Sequence, residues 1–168
     1  MSALEQFRMM AGYNRWMNEK LYAICAQLSD EERKRDRQAF FRSIHGTLNH
    51  LLLTDRGWLA RFTGGSWTFR SLDQELYADF DELRRERVET DAAIEAYVAA
   101  LAPERLSEPF SYTTYAGKRF THPLGPALVH WFNHQTHHRG QLTTLLSQLG
   151  IDPGVTDLIA YYRERSAP

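Results

Sequence analysis

With 168 residues, 43% of them hydrophobic and 24% charged, the chain has the size and make-up of one soluble globular domain able to bury a core. Its 20 basic and 21 acidic side chains leave a formal net charge of −1, which excludes bulk electrostatic steering toward nucleic acid or an anionic membrane. A single cysteine, Cys25, excludes an internal disulfide, and without a basic-then-apolar leader or a long apolar run the expected location is the cytoplasm.

Leu4 to Leu28 reads as a long amphipathic helix, with Phe7, Met10, Tyr13, Met17, Leu21, Ile24 and Leu28 recurring at three- and four-residue steps. Asn14 and Asn18 flank that stripe, so each needs a partner on a neighbouring helix or a wet pocket. Ser29 with Glu32 has capping-box spacing and predicts one or two helical turns, followed by a solvated charged connection. Phe41 to Phe62 is the second long helix, with Ile44, Leu48, Leu51, Trp58, Leu59 and Phe62 on its core face. Asp55 falls on the same face, which predicts an arginine or histidine partner. His50 follows a strip of small residues (Ser43, Thr47, Thr54 and Gly57) that leaves room for a second helix or a ligand, whereas His45 lies on neither strip and is expected at the surface or boundary.

Thr63 to Ser66 ends that helix with turn residues, and the aromatics of Trp67 to Ser71 are expected to cover apolar surface. Leu72 to Leu101 carries the third long helix, whose Asp79, Asp81, Glu82, Arg84, Arg85 and Arg87 mix signs as on a solvated face. Pro103 breaks it. Phe110 to Thr121, with Ala116 and Gly117 in its middle, reads as a small β-hairpin. Pro123 and Pro126 open the fourth long helix, which runs to Leu149 and stops at Gly150. Thr156 can cap a last short helix to about Arg163. The expected architecture is all-α, a four-helix bundle in a single domain over residues 1–168, with the hairpin between the third and fourth long helices.

Four of the seven histidines lie within nine residues of the fourth helix, at His130, His134, His137 and His138, and the run from Leu124 to Gly150 holds no Asp or Glu. His130, His134 and His138 share a helical face with Trp131, Leu142 and Leu145, so they are expected to point inward. Bare imidazole nitrogens are costly there unless bound, and i, i+4 spacing suits a metal ion. Carboxylate-bridged di-iron chemistry is excluded, because neither the second nor the fourth helix contains Glu. The His-Glu-x-x-His zinc-protease pattern is absent, since Gln135 stands where its Glu would be. What remains is a set of neutral imidazoles, joined by His50, around a divalent ion with an open position. Such a site keeps its double positive charge and favours hydroxide or thiolate as a further ligand. Zinc is the first expectation; nickel, iron, cobalt and manganese suit the same donors. His130 with His134 has the same spacing as His134 with His138, so periodicity leaves both pairs open. His137 is rotated off the face, Gln141 and Asn14 are candidates to orient a ligand, and Arg139, turned away, is expected to meet a carboxylate on a neighbouring helix.

The chain resembles the DinB/YfiT-like family of metal-dependent bundle proteins. The resemblance rests on Tyr13-Asn14-Arg15-Trp16, on Ile44-His45-Gly46-Thr47-Leu48-Asn49-His50-Leu51-Leu52 with Asp55 and Trp58, and above all on the run His130 to Gln141. It implies an up-down bundle with a long crossover connection and a homodimer. It also implies a three-histidine site at His50, His134 and His138 holding zinc or nickel. Some members of the wider superfamily resemble transferases that use low-molecular-weight thiols. The expected function is therefore a metal-dependent enzyme that activates a thiol or water against a small electrophile. Its alternatives are a non-catalytic stress-related dimer binding metal or a small ligand, and a structural dimer with core histidines.

Overall fold

The computed structural model describes residues 1–166, so the last two positions of the expected domain lie outside the described residues. Four long helices carry the fold: α1 (Ala3–Cys25), α3 (Ile44–Thr63), α4 (Phe80–Ala100) and α5 (Leu124–Gln148), with the short helices α2 (Asp30–Lys34) and α6 (Leu158–Ser166). A 3-10 turn over Pro103–Ser107 leads into an antiparallel pair, β1 (Pro109–Thr113) and β2 (Arg119–Pro123), in the register Ser111 opposite Thr121. No helix among the described residues is long and apolar enough to cross a membrane.

Local chemistry sets the boundaries. Ser2 and Glu5 form a reciprocal capping box that opens α1, Ser29 caps α2, and Asp79 caps α4 through the Glu82 amide. Ser43 caps α3 by accepting from the Gly46 amide, which moves the start of that helix from the expected Phe41 to Ile44. Gly64, at φ 72°, ends it in the left-handed conformation. Helix α4 begins eight residues after the expected Leu72, because the capping aspartate sits at position 79 and the segment before it folds over α3. Helix α6 begins at Leu158 rather than after a Thr156 cap, and the Asp157 carbonyl is its first acceptor.

Packing pairs α1 with α4, α4 with α3, α3 with α5 and α5 with α1, which closes a ring of four. Helices α1 and α3, consecutive in sequence, therefore lie across a diagonal, and residues 26–43 are the crossover between them. The core is divided. One apolar group (Met17, Leu21, Leu48, Leu52, Leu83 and Leu142 among its members) fills one end, and a second (Phe7, Phe62, Ile94, Val98, Leu128 and Trp131) fills the other. Between them each long helix contributes buried polar side chains: Asn14 and Asn18, Asp55, Arg87 and Asp91, and Gln135 and Arg139.

That layer is bonded chiefly within itself, although Arg87 Nε, Gln135 Oε1 and Arg139 Nε are buried without a hydrogen-bond partner. Asp55 accepts from Arg87 at 2.6 Å, from the Trp131 indole at 2.9 Å and from Gln135 at 2.8 Å. Asp91 pairs with Arg87 at 2.8 Å and accepts from Asn14 and Asn18. The expected arginine partner of Asp55 is thus present, but it comes from a residue assigned to the solvated face of α4. Arg87 is 2% exposed, because it lies between Leu83 and Ile94 on the buried stripe. Arg139 also departs from expectation: it donates to the Asn14 amide oxygen and lies over the Tyr13 ring, and so reaches Asp91 only through Asn14.

Candidate metal centre

Helices α3 and α5 pack side by side, and that contact brings His50 to His134 and His138. The Nε2 atoms of His50 and His134 are 3.3 Å apart, and those of His138 and His134 are 3.1 Å apart. Donors about 2.0–2.1 Å from a tetrahedral ion are separated by about 3.3–3.4 Å, so the spacing is that of a ligand set.

The protons on these rings follow from what each Nδ1 faces. His50 Nδ1 lies 2.7 Å from the Leu72 carbonyl oxygen, which can only accept, so the ring is protonated there and Nε2 presents a lone pair. His138 Nδ1 lies 2.8 Å from Gln141 Oε1, with the same consequence. The Gln141 amide is oriented in turn by its nitrogen, 3.3 Å from His137 Nε2. Both outer rings therefore aim lone pairs at His134, whose own Nδ1 is buried without a partner. Neutral His134 has a single N–H, so one of its two nitrogens is left facing acceptors or apolar surroundings whichever carries the proton. A cation at the centre removes the conflict among the Nε2 atoms.

Burial keeps the rings uncharged. It pushes the His134 pKa down to about 3, with repulsion from His138 and His50 adding to the effect. It pushes His50 down to about 4, despite the opposing Leu72 hydrogen bond. His138 is also lowered by burial, against the Gln141 bond. A neutral trio of imidazoles is the form that binds metal. Phe41 lies flat on His50, with ring centroids 3.7 Å apart at 16°, and meets His138 edge-on. Two clefts open onto the cluster, and neither is lined by an Asp or Glu. The arrangement could hold a divalent ion while leaving it accessible from the side.

The other sequence candidates fall elsewhere. His130 is exposed rather than inward-facing; its ring stands 5.2 Å from Trp58 and 5.9 Å from His134, at the wall of the larger cleft. His137 is exposed and supports Gln141. Asn14 makes its hydrogen bonds with Asp91 and Arg139 in the polar layer, so of the two amides expected to orient a ligand only Gln141 reaches the cluster. His45, expected at the surface or boundary, is 1% exposed, with Nε2 2.9 Å from the Tyr77 carbonyl. Its spacing to Leu48, Asn49 and Leu52 carries that signal. Sequence reasoning also missed Phe41 and Leu72 as parts of the site, because both reach it from irregular segments.

A family model described as DinB family matches residues 1–166. Protein DinB of Bacillus subtilis (strain 168) is 29% identical over 154 residues, covering 89% of each chain. The crystal structure of a DinB-like protein from Bacillus cereus ATCC 10987 superposes with a TM-score of 0.58 at 21% identity, covering 83% of this chain and 90% of that one, which supports the fold.

Proposed function

The chain belongs to the DinB family, and from that premise we propose that it is a metal-dependent enzyme in which His50, His134 and His138 hold one divalent ion, zinc or nickel, to activate a thiol or water against a small electrophilic substrate. The observation that carries the reading is the meeting of three Nε2 atoms whose ring protons are turned, on the two outer rings, to carbonyl oxygens. The bound ion supplies an ionised thiol or water at neutral pH. The protein supplies the rest. The Leu72 carbonyl and Gln141 fix the outer rings, Phe41 shields one side from water, and the larger cleft admits the substrate beside His134. With no carboxylate in either cleft the site stays cationic and selects an anionic nucleophile. A low-molecular-weight thiol fits that selection, and S-transfer is the reaction class. In this reading the protein works in the cytoplasm as a homodimer, without a nucleic-acid or membrane partner.

Elemental analysis of the purified protein tests the assignment. One divalent ion per chain is expected in the wild type and none in His134→Ala; a stoichiometric ion in that variant ends it. One observation favours a second reading, a non-catalytic protein that binds metal or a small ligand: the cleft lining holds no carboxylate to act as general base. Screening the metal-loaded protein against thiol and electrophile pairs separates the two, since the second predicts metal retention without turnover.

A further inference from the structure

We propose that the larger cleft beside the histidine cluster binds a small organic carboxylate, anchored by Arg61 and walled by Trp58 and Tyr112. The proposal rests on the enzymatic reading for the ligand being a substrate, but not for its binding.

Arg61 stands in the last turn of α3, half-buried. Other partly or fully buried arginines in the bundle have acceptors: Arg56 has Glu86, Arg87 has Asp55 and Asp91, and Arg139 has Asn14. Among the described residues the Arg61 guanidinium takes part in neither a hydrogen bond nor an ion pair, while its backbone carbonyl accepts from the Gly64 amide. Its guanidinium carbon lies 4.8 Å from the centre of the Trp58 ring and 5.7 Å from that of Tyr112. Aromatic faces hold a guanidinium in place but leave its N–H donors free. Burial lowers the Arg61 pKa from its ordinary value, and the only charge effect that opposes this comes from Tyr112, not from a carboxylate. The group is thus a positioned cation with its donors unspent.

The same cleft, of about 440 Å³, is lined by Arg61, Trp58, Tyr112, His130, His50 and His134 and by no acidic side chain. Its volume is in the range of small-molecule sites, about 300–1,000 Å³. A guanidinium fork matches a planar carboxylate in two parallel hydrogen bonds. An apolar body attached to that carboxylate would lie against Trp58 and Tyr112, whose ring centroids are 5.1 Å apart, and its far end would come to His134. Arg61 is a binding residue in this scheme, and the aromatic pair gives the site its preference for an apolar body.

Calorimetric titration with 4-phenylbutanoate and its neutral amide tests the proposal, with chelator-treated and zinc-loaded protein run side by side. The acid should bind at least about tenfold more tightly than the amide, as expected for a charge-assisted hydrogen bond. Arg61→Gln should abolish that preference and Arg61→Lys retain part of it, with helical content unchanged by circular dichroism. Because the chelated protein is measured separately, an Arg61-dependent preference that persists there supports the anchor even if the metal assignment fails. A preference that disappears with the metal and survives Arg61→Gln means that the carboxylate lands on the ion, and overturns the proposal. Equal binding of acid and amide, or no saturable heat from either, also overturns it.

Discussion

At the scale of single residues, Asp55 shows how a functional-looking group is consumed by structure. It stands five residues beyond His50 on α3, yet its oxygens are taken by Arg87, Trp131 and Gln135. Truncating it leaves the buried Arg87 guanidinium with Asp91 as its one carboxylate and deprives Trp131 and Gln135 of their acceptor, so Asp55→Ala should lose about 3–5 kcal/mol in urea unfolding; a loss under about 1 kcal/mol would mean that the polar layer rearranges freely. The fourth-helix histidines were legible because inward imidazoles at helical spacing are costly without a ligand, and His50 because it follows a strip of small residues. The choice of His138 over His130 came through the family resemblance and not through spacing, because both spacings are equal and only the packing of α5 against α3 separates an exposed ring from a buried one. Arg87 was misread for a related reason: a run of mixed charges resembles a solvated face unless each charge is checked against the apolar stripe beside it. Cys25 is an inert core thiol: it is fully buried, and burial pushes its pKa up to about 12.

At the scale of elements, the first turn of α3 is held against the segment that precedes it. A Cβ at Gly46 would stand 2.2 Å from the Phe41 carbonyl oxygen, a backbone atom that cannot swing aside. Ala is the better helix former by about 1 kcal/mol, but overpacking costs about 1–3 kcal/mol and wins where backbone must move. Gly46→Ala should therefore lower thermal stability and weaken metal retention together, since Phe41 carries the ring stacked on His50. Melting curves and dialysis against chelator report the two effects, and a variant that melts higher with unchanged retention would refute the coupling. Residue patterning located all four long helices, and β-forming residues around Ala116 and Gly117 located the hairpin. The late start of α4 was missed, because the segment from Leu72 to Tyr77 folds over α3 instead, where the Asn49 side chain accepts from the Leu76 and Tyr77 amides. The cleft walls were invisible in sequence, since Tyr112 reaches Trp58 only through the docking of the hairpin on the bundle.

At the scale of the whole molecule, stability is tied to pH through histidines that fold uncharged. His45, His50 and His134 all have pKa values lowered first by burial, the latter two to about 4 and about 3. The unfolded chain takes up these protons near pH 6.5, before the native state does. The native state's advantage is therefore complete above about pH 6.5 and declines as pH falls toward the folded values. The chelated protein should show a urea midpoint that falls from pH 7 to pH 4.5, with a shallower fall in His45→Phe; a flat profile would show that the rings are solvated. The route of the chain adds a further constraint. Residues 26–43 carry the chain across the diagonal from α1 to α3, and the same stretch lays Phe41 on His50. Crossing the bundle and roofing the imidazoles are one task for one piece of backbone. A relative with a shorter crossover would have to leave its α3 histidine open to the sky or find another aromatic to cover it.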